Sequence, residues 1–113
     1  MNAEVANYLH DILDSISKIQ FHIQKTTSLT DFIGNITDAA ERRLAIIGEA
    51  VWKVTKNDSS IKISDYKKIT SLRHILIHEY DLVDKGTLWR IIETDLPLLK
   101  LEVENILNRS EKL

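Results

Sequence analysis

Apolar residues recur along this chain at alternating steps of four and three. Val5, Leu9, Ile12, Ile16, Ile19 and Ile23 form the first such seam, the mark of an amphipathic helix with a narrow apolar stripe. The helix is expected over about residues 3–26. The polar, β-branched cluster of Thr26, Thr27, Ser28 and Thr30 favours ending it. A second seam of Ile36, Ala40, Leu44, Ile47, Val51 and Val54 predicts a helix from about Asn35 to Lys56. Asn57, Asp58, Ser59 and Ser60 supply turn chemistry and mark the next break.

A third helix is expected to begin near Ser64 or Asp65, either of which can cap it. Ile69, Leu72, Leu76 and Ile77 carry its apolar face towards Tyr80. Residues Asp81 to Gly86 read as a connection, with Asp84 or Thr87 able to cap the next helix. That last helix should run from about Lys85 to Arg109 through Leu88, Ile92, Leu99, Val103 and Ile106. Pro97 falls inside it and must kink or restart it, since proline cannot donate to the preceding turn. Thr94 and Asp95 just before the proline suit a local restart. With only three glycines and one proline, breaks are few and helices long. Four long helices with short connections predict an all-α, antiparallel bundle. The 113 residues fit a single domain, 1–113.

Composition narrows the function classes. A hydrophobic fraction of 43% and a charged fraction of 28% are those of an ordinary globular protein. The absence of cysteine excludes disulfides, thiolate metal sites and cysteine nucleophiles. The first residues lack a cationic start followed by an apolar core, so no secretory signal is expected. No run approaches the roughly 18 apolar residues of a membrane span. A cytoplasmic protein with no membrane partner is the expectation. Net charge is only −2, yet the segment from Arg42 to Arg73 holds eight cations against three acids, a local +5. Such a face can hold a polyanion; it can also be a set of solvated helix flanks.

The segment Thr70-Ser-Leu-Arg-His-Ile-Leu-Ile-His-Glu-Tyr80 is the most unusual in the chain, with two of the four histidines, an arginine, an acid and a tyrosine near one helix end. At about 100° per residue, His74 and His78 share a face, whereas Arg73 and His78 diverge by about 140°. Three readings stay open. The side chains can be amphipathic residues at the edge of a core. His74 and His78 have the spacing of a two-histidine helical chelate, with Glu79 or Asp81 adding oxygen, although no further histidine is well placed. Or the cluster can do acid–base chemistry on RNA. In that reading His78 takes the proton of a ribose 2′-hydroxyl and an arginine holds the scissile phosphate. A groove shared between two copies would let arginine from one chain and histidine from the other converge.

These residues resemble a known family. Arg73 and His78 fit the R-x4-H signature of HEPN domains, and with Tyr80 the R-x4-H-x-Y form of the HepT toxins. Arg42-Arg-Leu-Ala-Ile-Ile-Gly-Glu-Ala50 is similar to the family's R-x-L-x-I-I-G-E-A run, and Leu72 to Tyr80 to its L-R-N-x-L-I-H-x-Y segment. Val83-Asp84, Trp89 and Asp95-Leu-Pro97 match the family's V-D, W and D-L-P pattern nearer the C-terminus. The likeness extends over essentially residues 3–109. It departs at His74, where asparagine is usual, at Glu79, where glycine is frequent, and at Ile63-Ser-Asp-Tyr66, where the family often has I-P-W.

The resemblance implies a HEPN helical bundle that dimerises so that two signatures line one cleft. It implies a metal-independent endoribonuclease needing no cofactor, with Arg73 and His78 as catalytic residues and RNA, transfer RNA foremost, as substrate. It also implies a toxin–antitoxin system in which a nucleotidyltransferase antitoxin of the MntA type adds AMP to Tyr80, using ATP and magnesium. His74, Glu79, Arg42 and Glu49 are expected to support the groove. The alternative is a non-catalytic helical docking subunit for a nucleotidyltransferase. Blander roles suit the other conspicuous residues. Gly48 permits close helix packing, and Glu49 caps or pairs with a cation near the cleft. Trp52 and Trp89 serve a core or interface, and His10 and His22 are surface positions.

Overall fold

The computed structural model describes residues 1–24, 38–78 and 84–111, the side chains at 38, 39, 77, 78 and 111 excepted. Every regular element among them is helical: α1 (Ala3–Ile23), α2 (Asp38–Asn57), α3 (Tyr66–His78), α4 (Lys85–Arg90), a π-helical turn (Ile91–Asp95) and α5 (Leu96–Glu111). Because α4, the π turn and α5 run on without a break, the described residues form a bundle of four helical arms, as the seams predict. The expected helix residues beyond these bounds at 25–26, 35–37 and 79–80 lie outside the described residues, Ile36 of the second seam among them.

Asn2 starts α1, its side chain accepting from the Val5 amide at 2.8 Å, and Glu4 adds a carboxylate where the helix dipole favours one. The seam residues Val5, Leu9, Ile12, Ile16 and Ile19 are fully buried. They meet Leu44, Ile47, Val51 and Val54 of α2 and Leu96, Leu99 and Val103 in one core. Each such side chain stabilises the fold by about 1.5–3 kcal/mol through burial. α1 packs on α2 and α5, and α2 also on α3. Lys53, late in α2, lies over the ring of Tyr8, early in α1, so these two helices run antiparallel.

The connection from α2 to α3 is more ordered than its polar sequence suggests. Asp58 accepts from the Ser60 amide and hydroxyl, which closes the expected turn. Ile61 and Ile63 are then buried while Lys62 and Ser64 face out. Ser64 does not cap α3: its amide and hydroxyl donate to the Glu102 carboxylate of α5. Asp65 takes the cap position instead, its carbonyl accepting from the Ile69 amide at 2.9 Å.

The last arm departs from a single kinked helix. Asp84 caps α4 by accepting from the Gly86 amide and the Thr87 hydroxyl. The chain then widens into a π turn, with the Leu96 amide donating to the Ile91 carbonyl. Pro97 explains it, since proline in a regular helix loses one bond and its ring presses on the carbonyl four residues back. The wider turn relieves that conflict and leaves Pro97 in the first turn of α5, where its missing N–H matters least. Two buried carboxylates fasten this arm to the others. Glu41 of α2 pairs with Lys85, and Asp95 of the π turn lies 2.9 Å from Lys68 of α3.

Candidate functional site on helix α3

α3 presents three faces. Ile69, Leu72 and Leu76 are buried, while Lys67, Ser71 and His74 are exposed on the opposite side. Arg73 sits at the rim between them, against α2. Its position depends on Gly48: a Cβ built there would lie 2.8 Å from the Ile69 carbonyl oxygen and 3.2 Å from both Arg73 Cβ and its amide nitrogen. Only hydrogen on residue 48 lets the two backbones approach so closely, as the sequence leads one to expect of this glycine.

From that seam the Arg73 guanidinium reaches Glu49, with Nε 3.8 Å from Oε1. The same oxygen lies 3.7 Å from Lys53 Nζ, one helical turn on. The Lys53 ammonium in turn stands 5.3 Å from the centre of the Tyr8 ring. The expected pairing of Glu49 with a cation is therefore met twice over. Arg73 and Glu49 are both about half exposed, at 46% and 43% of their side-chain surface. Arg73 can therefore meet an anionic ligand without unfolding anything. Arg42 is exposed on α2, two helical turns before Glu49 and so about 10 Å along the same stripe.

His78 closes α3, and its side chain lies outside the described residues, as do Glu79 and Tyr80 entirely. α3 stays α-helical from Tyr66 through His78, so positions 73 and 78 keep their divergence of about 140°. Among the described residues no three histidine, aspartate or glutamate side chains gather in a way that could hold a metal ion, and no helix is long and apolar enough to cross a membrane. His10 and His22 are exposed, as anticipated. Trp52 is 41% exposed with the Lys56 ammonium over its ring, and Trp89 packs against the core. The role of Lys53 and Tyr8 behind Glu49 was not anticipated. The spacing of Glu49 and Lys53 was a usable signal; the approach of Tyr8 from another helix was not.

Among the described residues the fold is an all-α bundle, and comparison with known proteins gives the family. Residues 12–106 match the family model described as "Ribonuclease HepT-like". The chain belongs to the HepT-like ribonuclease family. It is 38% identical over 105 residues to the Methanocaldococcus jannaschii protein named "Putative RNase MJ1380", covering 89% of this chain and 94% of that one. The Thermococcus cleftensis protein named "Probable ribonuclease HepT" is 29% identical over 103 residues, covering 88% and 93%. A second M. jannaschii protein, "Gamma-glutamylcyclotransferase and putative RNase MJ0434", is 32% identical over 114 residues, and there the match spans 51% of its length. No solved structure gives a significant match.

Proposed function

We propose that this chain is a metal-independent endoribonuclease that works as a homodimer and serves as the toxin of a toxin–antitoxin pair. One observation carries the reading: in a member of the HepT-like family, Arg73 is held at an accessible rim of α3, five residues before the histidine that ends the helix. A permanently charged guanidinium there suits the non-bridging oxygens of a phosphodiester and the charge that builds on them.

In the proposed reaction His78 accepts the proton of a ribose 2′-hydroxyl. The 2′-oxygen attacks the adjacent phosphorus, the bond to the 5′-oxygen breaks, and the departing oxygen takes up a proton. A 2′,3′-cyclic phosphate and a 5′-hydroxyl result. The nucleophile belongs to the substrate, so the chemistry asks the protein only for an acid–base group and a phosphate holder. The divergence of positions 73 and 78 on one regular helix favours a cleft built by two copies, with arginine and histidine converging from different chains. His74 and Arg42 extend the cationic and polar lining. AMP added to Tyr80 by a nucleotidyltransferase antitoxin would put negative charge and bulk where an RNA phosphate must sit.

The test is cleavage of total transfer RNA in EDTA by protein shown by intact mass to carry no AMP, comparing the wild type with His78→Ala and Arg73→Ala. Cleavage by the wild type alone is expected. Cleavage of other cellular RNA but not transfer RNA would change the substrate. No cleavage of either by unmodified dimer would make the chain a docking subunit for a nucleotidyltransferase.

A further inference from the structure

Tryptophan has more apolar surface to bury than most side chains, yet Trp52 is 41% exposed on the outer face of α2. Its neighbours there are charged. Glu49 and Lys56 stand three residues before it and four after, the spacings that share a helix face. The Lys56 ammonium lies 4.5 Å from the centre of the indole. Glu49 is matched by Arg73 at 3.8 Å and by Lys53 at 3.7 Å, so the surplus charge around the ring is positive. Two contacts fix where the ring stands relative to Arg73. Gly48 lies against Arg73, and Trp52 follows Gly48 by four residues, about 6 Å along α2. The step leads away from His78: Gly48 meets Ile69 and Arg73, whereas Thr55 shares a cleft with Tyr66 at the start of α3, so α2 and α3 run antiparallel. An indole therefore stands about one helical turn from the arginine, a distance comparable to a nucleotide step in a stretched strand.

We propose that Trp52 and Lys56 form a subsite for the nucleotide next to the phosphate held by Arg73, with its base stacked on the indole and Lys56 on a flanking phosphate. The inference rests on the ribonuclease reading and deepens it. Every base has a π-face, so the subsite selects unpaired RNA rather than a sequence. In a duplex those faces are already covered by the neighbouring base pairs. Lys56 does not obstruct the ring, because a stacked base holds an aromatic side chain more strongly than an exposed ammonium does. The displaced ammonium sits on a flexible four-carbon stem and can turn to a phosphate. The charged surroundings of Trp52 favour RNA over a second copy of the chain, since the cores of protein interfaces are depleted of charge.

The probe is a short single-stranded RNA of mixed sequence with every 2′-oxygen methylated, which keeps the bases and removes the nucleophile. Its binding should quench the tryptophan fluorescence of the wild type. The quench should vanish in Trp52→Leu, because Trp89 packs against the core. Trp52→Leu should bind about 5- to 100-fold more weakly, and Trp52→Phe should recover part of the loss. Lys56→Gln should flatten the slope of log Kd against log salt by about 0.7, the share of one phosphate contact on a single strand. All three variants should keep the melting temperature and oligomeric state of the wild type. A wild type that does not bind the probe, unchanged binding by Trp52→Leu, or an equal quench by the paired duplex would overturn the proposal. Dissociation of the oligomer in Trp52→Leu would overturn it too, by assigning the ring to a contact between copies. The ribonuclease reading fails separately: a wild type that shows the Trp52 quench but cleaves no unmethylated RNA keeps the subsite and loses the activity.

Discussion

Gly48→Ala tests the packing on which the site depends. The new methyl carbon would sit 2.8 Å from the Ile69 carbonyl oxygen and 3.2 Å from Arg73 Cβ and amide nitrogen. All three atoms belong to the α3 backbone or its first branch, so no flexible side chain can turn aside. Bringing the shortest contact to an ordinary 3.4 Å requires α2 and α3 to separate by about 0.6 Å. A gap of that size forfeits about a quarter to a half of the dispersion attraction of the flanking contacts. These include Ile47 and Val51 on one side and Ile69 and Leu72 on the other. Overpacking of this kind costs about 1–3 kcal/mol. Alanine's better helix propensity returns about 1 kcal/mol. A net loss of about 0–2 kcal/mol should lower Tm by up to roughly 12 °C in a domain of this size. Urea unfolding should show a lower midpoint with an unchanged slope, and RNA cleavage should fall as Arg73 moves off Glu49. A variant that melts higher than the wild type, with propensity winning, would refute the close approach and with it the account of how Arg73 is placed.

Three other perturbations have expected outcomes. Asp95→Asn weakens the ion pair that joins the π turn to Lys68; with Asp95 buried but Lys68 half exposed, the loss should be about 1–2 kcal/mol in urea unfolding, and an unchanged midpoint would show the pair to be idle. Asn2→Ala removes the α1 cap and should cost about 1 kcal/mol, seen as earlier amide exchange over the first turn. The Thr87 hydroxyl, and after it the Gly86 amide, hold the Asp84 carboxyl below its ordinary 3.8. Its contribution is therefore complete above that value and is lost as pH falls through the lower folded one. Between about pH 5 and pH 2.5 the wild type should lose Tm more steeply than Asp84→Asn, and parallel slopes would contradict the cap.

Much of the fold was legible in the chain because helical periodicity is local. The seam from Val5 to Ile19 names the residues that are buried, and the Asp58 turn and Asp84 cap use side chains within three residues of their partners. The break at Pro97 was legible but not its form, since widening into a π turn rather than kinking depends on what the flanking residues can bury. Ile91, Ile92 and Asp95 all turn inward there. Ile61 and Ile63 sit in a stretch too short to show a period, and only the neighbouring helices give them a core to enter.

The sequence by itself determined the helices, their apolar faces and the cluster of Arg73, His74 and His78 on one segment. Each of these rests on spacing within a few turns, where the backbone dictates which residues are neighbours. Tertiary structure alone decided which side chains meet across helices. Glu41 finds Lys85, Asp95 finds Lys68, Glu49 finds Arg73, and Lys53 finds the Tyr8 ring. Such pairs are separated by tens of residues and depend on the depth and rotation at which helices pack, quantities set by the fit of the whole core. The orientation of Arg73 belongs to this second kind, because a charge is written in the chain but its direction is not.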